Sequence, residues 1–112
     1  MKMLLSFMLV FGFLTGYSQQ SKPIVVKIST PTVQCEKCKK RIEDYLKVEE
    51  GILKVNVDFK QKKTTVTYLL DRTNLENIKT AIANAGYDAD DVKAAEDIYK
   101  KLPTCCKKPA DQ

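Results

Sequence analysis

A short, mainly apolar run over 24–29 reads as a strand with Ile24, Val26 and Ile28 on one face. Thr30-Pro31-Thr32 breaks that strand, and the period then changes. Cys38, Ile42, Tyr45 and Leu46 recur at helical spacing and predict an amphipathic helix over 36–48. Glu43 and Lys47 stand one turn apart on its wet side, the spacing of an ion pair. Glu49-Glu50-Gly51 should end the helix, with Gly51 free to take left-handed backbone. Period two returns in Leu53, Val55, Val57 and Phe59, set against polar Lys54, Asn56 and Asp58, so this strand can bury only one face. After a charged turn at 60–63, residues 64–70 read as a third strand with Val66, Tyr68 and Leu70 facing inward. Thr73 and Glu76 then form a T-x-x-E capping box for a second helix. Its apolar stripe is Leu75, Ile78, Ile82 and Ala85, and Gly86 stands at its end. A short fourth strand is expected over 91–94 and a short helix over 95–102, stopped by Pro103 ahead of Cys105-Cys106 and a polar tail.

The order strand, helix, strand, strand, helix, strand predicts an α+β fold. It suits a ferredoxin-like βαββαβ sandwich, a four-stranded antiparallel sheet with both helices on one face, here with a short C-terminal helical extension. A chain of 112 residues holds one such domain.

The first 18 residues stand outside that pattern. Met1-Lys2 gives a positive start, residues 3–14 are almost wholly apolar, and Gly16 and Ser18 place small residues at the −3 and −1 positions of a cut before Gln19. That is the form of a secretory signal peptide, too short for a spanning helix; the other reading is an uncleaved anchor. The expected organisation is therefore a leader over 1–18, a domain over 19–94 and an extension over 95–112. Cleavage removes Lys2 and no acidic residue, taking the formal net charge from +5 to +4. The modest positive balance suits an acidic partner surface, and an exported chain with no dense basic-aromatic patch is a poor binder of nucleic acid. The chain has no histidine, and all three methionines lie in the leader. A metal held by the mature chain must use cysteine sulfur, oxygen or backbone ligands.

The chemistry therefore rests on four cysteines. Cys35 and Cys38 form a C-x-x-C pair at the head of the first helix, where free N–H groups and the helix dipole favour the thiolate, the form that binds metal. Two thiolates suit copper(I) or mercury(II), whereas structural zinc wants four ligands. Lys37, Lys39, Lys40 and Arg41 crowd the pair. They favour the thiolate and offer a docking face to an acidic partner, or simply form a solvated helix face. An oxidising compartment also permits disulfides, and four cysteines allow three pairings. A local Cys35–Cys38 bridge and a thiol–disulfide function thus stay open beside metal binding. Cys105 and Cys106 are neighbours, and a bridge between neighbours is strained. Either one can join Cys35 and Cys38 as a third ligand or a disulfide partner; a disordered tail and pairing with another chain are the alternatives.

The stretch Thr32-Val33-Gln34-Cys35-Glu36-Lys37-Cys38-Lys39-Lys40-Arg41-Ile42-Glu43 resembles the metal loop and first helix of heavy-metal-associated domains. The blocks Gly51-Ile52-Leu53-Lys54-Val55-Asn56-Val57, Thr64-Thr65-Val66-Thr67-Tyr68 and Ile78-Lys79-Thr80-Ala81-Ile82-Ala83-Asn84-Ala85-Gly86-Tyr87 extend the resemblance over roughly 23–94. That family includes soluble copper chaperones, N-terminal domains of copper-exporting P-type ATPases and a periplasmic mercury-binding carrier. The resemblance implies Cys35 and Cys38 as metal ligands. It also implies an aromatic, here Tyr87, that covers the metal, although an ordinary core tyrosine is the competing role. Where the family usually carries a methionine packed beneath the loop, this chain has Val33. The tail from Ala95, with its adjacent cysteines, lies outside the family pattern.

The combined expectation is an exported, periplasmic, monomeric carrier of copper(I), with mercury(II) as the other cargo. It would pass its ion by thiolate exchange to a metal-transporting membrane protein or another metal-binding domain. It would act on no small-molecule substrate and would not be an enzyme, since without histidine the usual general base is missing. The alternatives are a periplasmic thiol–disulfide protein with Cys105–Cys106 as resolving pair, and a structural domain whose cysteines are bridged.

Overall fold

A computed structural model describes residues 22–112, so the expected leader lies outside the described residues. Strand β1 (Pro23–Ser29) leads into helix α1 (Glu36–Lys47), followed by strands β2 (Ile52–Asp58) and β3 (Lys63–Leu69) and helix α2 (Leu75–Asn84). A five-residue helix α3 (Glu96–Lys100) and two 3-10 turns, Thr104–Cys106 and Pro109–Asp111, complete the chain. The three strands form an antiparallel sheet in the order β1-β3-β2. Val66 at its centre pairs with Val26 on one side and Val55 on the other.

The inner face carries Ile28, Val57, Val66 and Tyr68 into one core with Ile42 and Leu46 of α1 and Ile78, Ala81 and Ile82 of α2. Both helices therefore cover the same face, as their apolar stripes demand. Each fully buried aliphatic side chain contributes about 1.5–3 kcal/mol. Gly51 takes φ +86 after α1, and a Cβ there would stand 2.6 Å from that of Arg72. Only glycine combines that backbone with that space.

Several expectations give way to tertiary detail. The β2–β3 register shifts between Ile52 and Lys54, so Ile52 opposes Tyr68 while Leu53 becomes the extra residue of a bulge and turns outward, 56% exposed. Leu70 lies past the end of β3 and is also exposed, and Tyr45 sits at the rim of the α1 stripe. Glu43 does not pair with Lys47. It lies 4.0 Å from Lys39 and accepts the Val57 N–H, while Lys47 turns to Asp44. The cap of α2 is Asn74, whose side chain accepts the Asn77 N–H at 2.8 Å, in place of the expected Thr73.

The larger correction is the fourth strand, which does not form among the described residues. A tight turn replaces it, with Ala89 and Val92 exchanging backbone bonds and Asp90 at φ 50. Carboxylates outcompete the ladder here. Asp90 accepts the Ser29 N–H at 2.7 Å, Asp88 accepts the Ala94 N–H at 2.9 Å, and Asp91 lies 2.9 Å from Lys79 of α2. The chain thus touches the β1 edge once, at Ser29, and turns back over α2, where the Ala95 N–H reaches the Ala83 carbonyl. No helix among the described residues is long and apolar enough to cross a membrane.

Candidate metal centre

The loop between β1 and α1 is fixed from beneath before any thiol is placed. Thr30 donates its N–H to Lys62 and shares a buried hydroxyl bond with Thr64 at 2.9 Å. The Thr32 hydroxyl accepts the Asp88 N–H, tying the loop to the segment after α2. Val33 is fully buried in the core, and its carbonyl accepts from the Lys62 ammonium. The smaller side chain occupies an apolar position under the loop.

Cys35 is the N-cap residue of α1, extended at φ −150, with its carbonyl accepting the Lys39 N–H and no side-chain cap. Its sulfur is thus left for other work. Cys38, one turn on, begins the buried stripe of the helix. The two sulfurs lie 3.4 Å apart. Above them runs the Thr104–Cys106 turn: the Cys105 carbonyl lies 3.7 Å from Cys35 Sγ and 4.0 Å from Cys38 Sγ. The sulfurs of Cys35, Cys105 and Cys106 all lie within 4.8 Å of one another. The fold therefore brings all four cysteines to one place, graded in access: Cys105 exposed, Cys35 half-buried, Cys38 and Cys106 buried.

That gradient has an electrostatic counterpart. Burial alone would raise Cys35, but the Cys38 backbone N–H and thiol, with the Lys37 N–H and Cys105, outweigh it and hold Cys35 below the ordinary thiol range. Burial, reinforced by the Cys38 thiol, pushes Cys106 up to about 12. Tyr87 is fully buried beside Cys106 and Cys38, and its hydroxyl makes no hydrogen bond of normal geometry among the described residues. Burial first, and these two sulfurs next, push its phenol well above the usual range, so it stays a neutral donor.

Lys37, Lys40 and Arg41 surround a groove of about 580 Å³ that runs past Tyr45, Val48 and Pro103 to Cys106. Lys39 faces the other flank of the helix beside Glu43. Arg41 also donates to the Ala85 carbonyl at 3.3 Å, pinning α1 to the end of α2. Sequence reasoning missed the Cys105 carbonyl and the anchor of the tail. Leu102 is buried against Gly86, where an added Cβ would come within 3.0 Å of its side chain. The sequence signal was present as Gly86 and a lone apolar residue before Pro103, but no periodicity links them.

A half-sandwich with thiols at the head of its first helix defines the class. Residues 27–88 match the heavy-metal-associated domain, and the chain belongs to that family. It is 31% identical over 74 residues to a mercuric transport protein periplasmic component of Shewanella putrefaciens, covering 66% of this chain and 81% of that protein. It is 30% identical over 61 residues to the copper chaperone CopZ of Staphylococcus haemolyticus, covering 54% of this chain and 90% of that one. Oxidized MerP from Ralstonia metallidurans superposes with a TM-score of 0.58 at 28% identity, over 62% of this chain and 96% of that one. The family match ends at residue 88, before α3 and both tail cysteines.

Proposed function

We propose that this chain is an exported, periplasmic carrier that takes a soft metal ion between Cys35 and Cys38 and passes it on by thiolate exchange. The observation that carries the reading is the pair of sulfurs 3.4 Å apart at the head of α1, one of them held toward its anionic form. A small opening of the pair admits a sulfur-seeking ion, and no bond in a substrate need be broken. Copper(I) is the first cargo, because it accepts few, soft ligands. The relation to a periplasmic mercuric transport component supports mercury(II) as the second reading and export as the destination of the leader. The partner is a metal-transporting membrane protein or another metal-binding domain, steered to the groove by Lys37, Lys40 and Arg41.

Anaerobic titration of the reduced chain with copper(I) and, separately, mercury(II), each against a competing thiol chelator, tests this and ranks the cargoes. Cys35→Ser combined with Cys38→Ser should weaken binding by roughly a thousandfold or more, about 4 kcal/mol. Equal affinity in that variant, or catalysed reduction of a test disulfide by a chain indifferent to metal, would overturn the carrier reading.

A further inference from the structure

The C-terminal cysteines have no role in a two-sulfur carrier, yet the fold goes to some length to seat them. Leu102 fills the space left by Gly86, Ala94 and Ala95 are hydrogen-bonded to Asp88 and Ala83, and Tyr99 packs on the core. The Tyr99 hydroxyl bonds to Asp111 and accepts the Lys108 N–H at 2.9 Å, closing the last residues on themselves. Between those anchors, the Pro103 carbonyl accepts the Cys106 N–H at 2.8 Å and tightens the 3-10 turn that carries Cys105 and Cys106. The two differ in access: Cys106 is 1% exposed, whereas Cys105 is open to solvent.

We infer that Cys105 and Cys106 belong to the same centre as the helix pair, and that with Cys35 they form a three-thiolate cradle closing over the ion first taken by Cys35 and Cys38. This rests on the carrier reading and adds to it a ligand set and an order of events. The Cys105 and Cys106 thiols give their protons to water and bond the ion as its bond to Cys38 breaks. The freed Cys38 thiolate takes a proton, with no change in the ion's oxidation state. Three sulfurs around one ion at about 2.3 Å each stand about 4 Å apart. The sulfurs of Cys35, Cys105 and Cys106 already lie within 4.8 Å of one another, so a small contraction completes the set. The buried Tyr87 hydroxyl, unpartnered and beside Cys106 and Cys38, gives the ligating sulfur a hydrogen-bond donor.

The cradle also sets how the ion leaves. Cys105 is the ligand solvent reaches, so an incoming thiolate forms its metal–sulfur bond as the bond to Cys105 breaks. The released Cys105 thiolate takes a proton from water, and the ion's charge does not change. Exchange at Cys35 and the buried Cys106 follows only once the tail has lifted. The ion is therefore held more tightly and surrendered more slowly than by two thiols alone.

X-ray absorption on the full chain, reduced and loaded with one equivalent of copper(I), counts the sulfurs directly. Three sulfurs per copper on a monomer are expected. Cys105→Ser with Cys106→Ser should lower the count to two and weaken copper binding at least tenfold. Because Cys106 is buried, Cys105→Ser alone serves as the variant that leaves packing intact; it should speed copper loss to a competing thiol. Two sulfurs in the unaltered chain, or three reached only in a metal-linked dimer, would overturn the cradle while leaving the two-cysteine carrier standing. Loss of binding on altering Cys35 and Cys38 separates that reading from this one.

Discussion

The two cysteine pairs reach one place by unlike means. Cys35 and Cys38 are set by a helix: the first caps α1, the second opens its buried stripe, and the turn between them fixes their separation. Cys105 and Cys106 are set by contacts distant in sequence: Leu102 on Gly86, the Ala95 N–H on Ala83, and the Cys105 carbonyl over the helix pair. The first pair is as stable as the core beneath it. The second depends on a segment held by single side-chain and backbone contacts outside the sheet, the kind of element whose local stability lies below that of the core. Under the proposed reading the two kinds of thiol would divide the work, one keeping its geometry when empty and the other able to withdraw.

Removing the tail's anchor should separate the pairs most sharply. Leu102→Ala empties the space over Gly86 and should cost about 2–3 kcal/mol in urea unfolding, the low end for a buried leucine because the tail can yield. The sharper readout is alkylation: Cys106 should become reactive in the folded, metal-free chain while Cys38 stays protected. Equal protection of Cys106 in the variant would show that the tail is held by something other than Leu102.

Tyr87 stands where the pairs meet, and its substitution should move metal binding rather than folding. Tyr87→Phe deletes a buried hydroxyl without a normal partner, so stability should hold or rise by about 1 kcal/mol. Copper(I) affinity should fall roughly 10–100-fold if that hydroxyl supports the sulfurs once they are ionised. Unchanged affinity would reduce Tyr87 to core filling.

The same contrast explains what could be read along the chain. β1, α1, β2, β3 and α2 follow from periodicity because each buries one face in a common core, and α1 carries Cys35 and Cys38 with it. Leu53 misled because a bulge changes which face a residue takes without changing the alternation. The expected strand at 91–94 failed because three aspartates hold the backbone in a turn, a competition that hydrophobic pattern does not record. The docking of the tail was unreadable for a related reason. Leu102 and Cys106 are single apolar residues in irregular chain, and their partners lie 16 or more positions away at Gly86 and the helix pair. The possibility that a tail cysteine reaches the helix pair was open in the sequence, but only the packing brings both there.

The turn that replaces the fourth strand offers the mildest way to disturb one pair and spare the other. Lys79, its side chain only 10% exposed, lies 2.9 Å from Asp91 and 3.8 Å from Asp90, and so holds against α2 the segment from which the tail departs. The hydrogen bond from Lys79 holds the Asp91 carboxyl below the usual carboxylate range, and Asp91 in turn raises Lys79. The sign follows from the lowered acid: its contribution is present above the ordinary carboxylate range and is lost as pH falls through the folded value. Asp91→Asn should therefore lower the neutral plateau slightly and flatten the acid limb by the same small amount, as befits a pair with one partner at the surface. Lys79 keeps Glu76 and Asp90 as neighbours, which limits the loss further. Below that acid range the two chains should converge, and any difference in thiol reactivity at neutral pH should fall on Cys105 and Cys106. A variant that instead exposed Cys35 or Cys38 would mean that the turn braces α1 itself, and the two pairs would be less independent than their anchors imply.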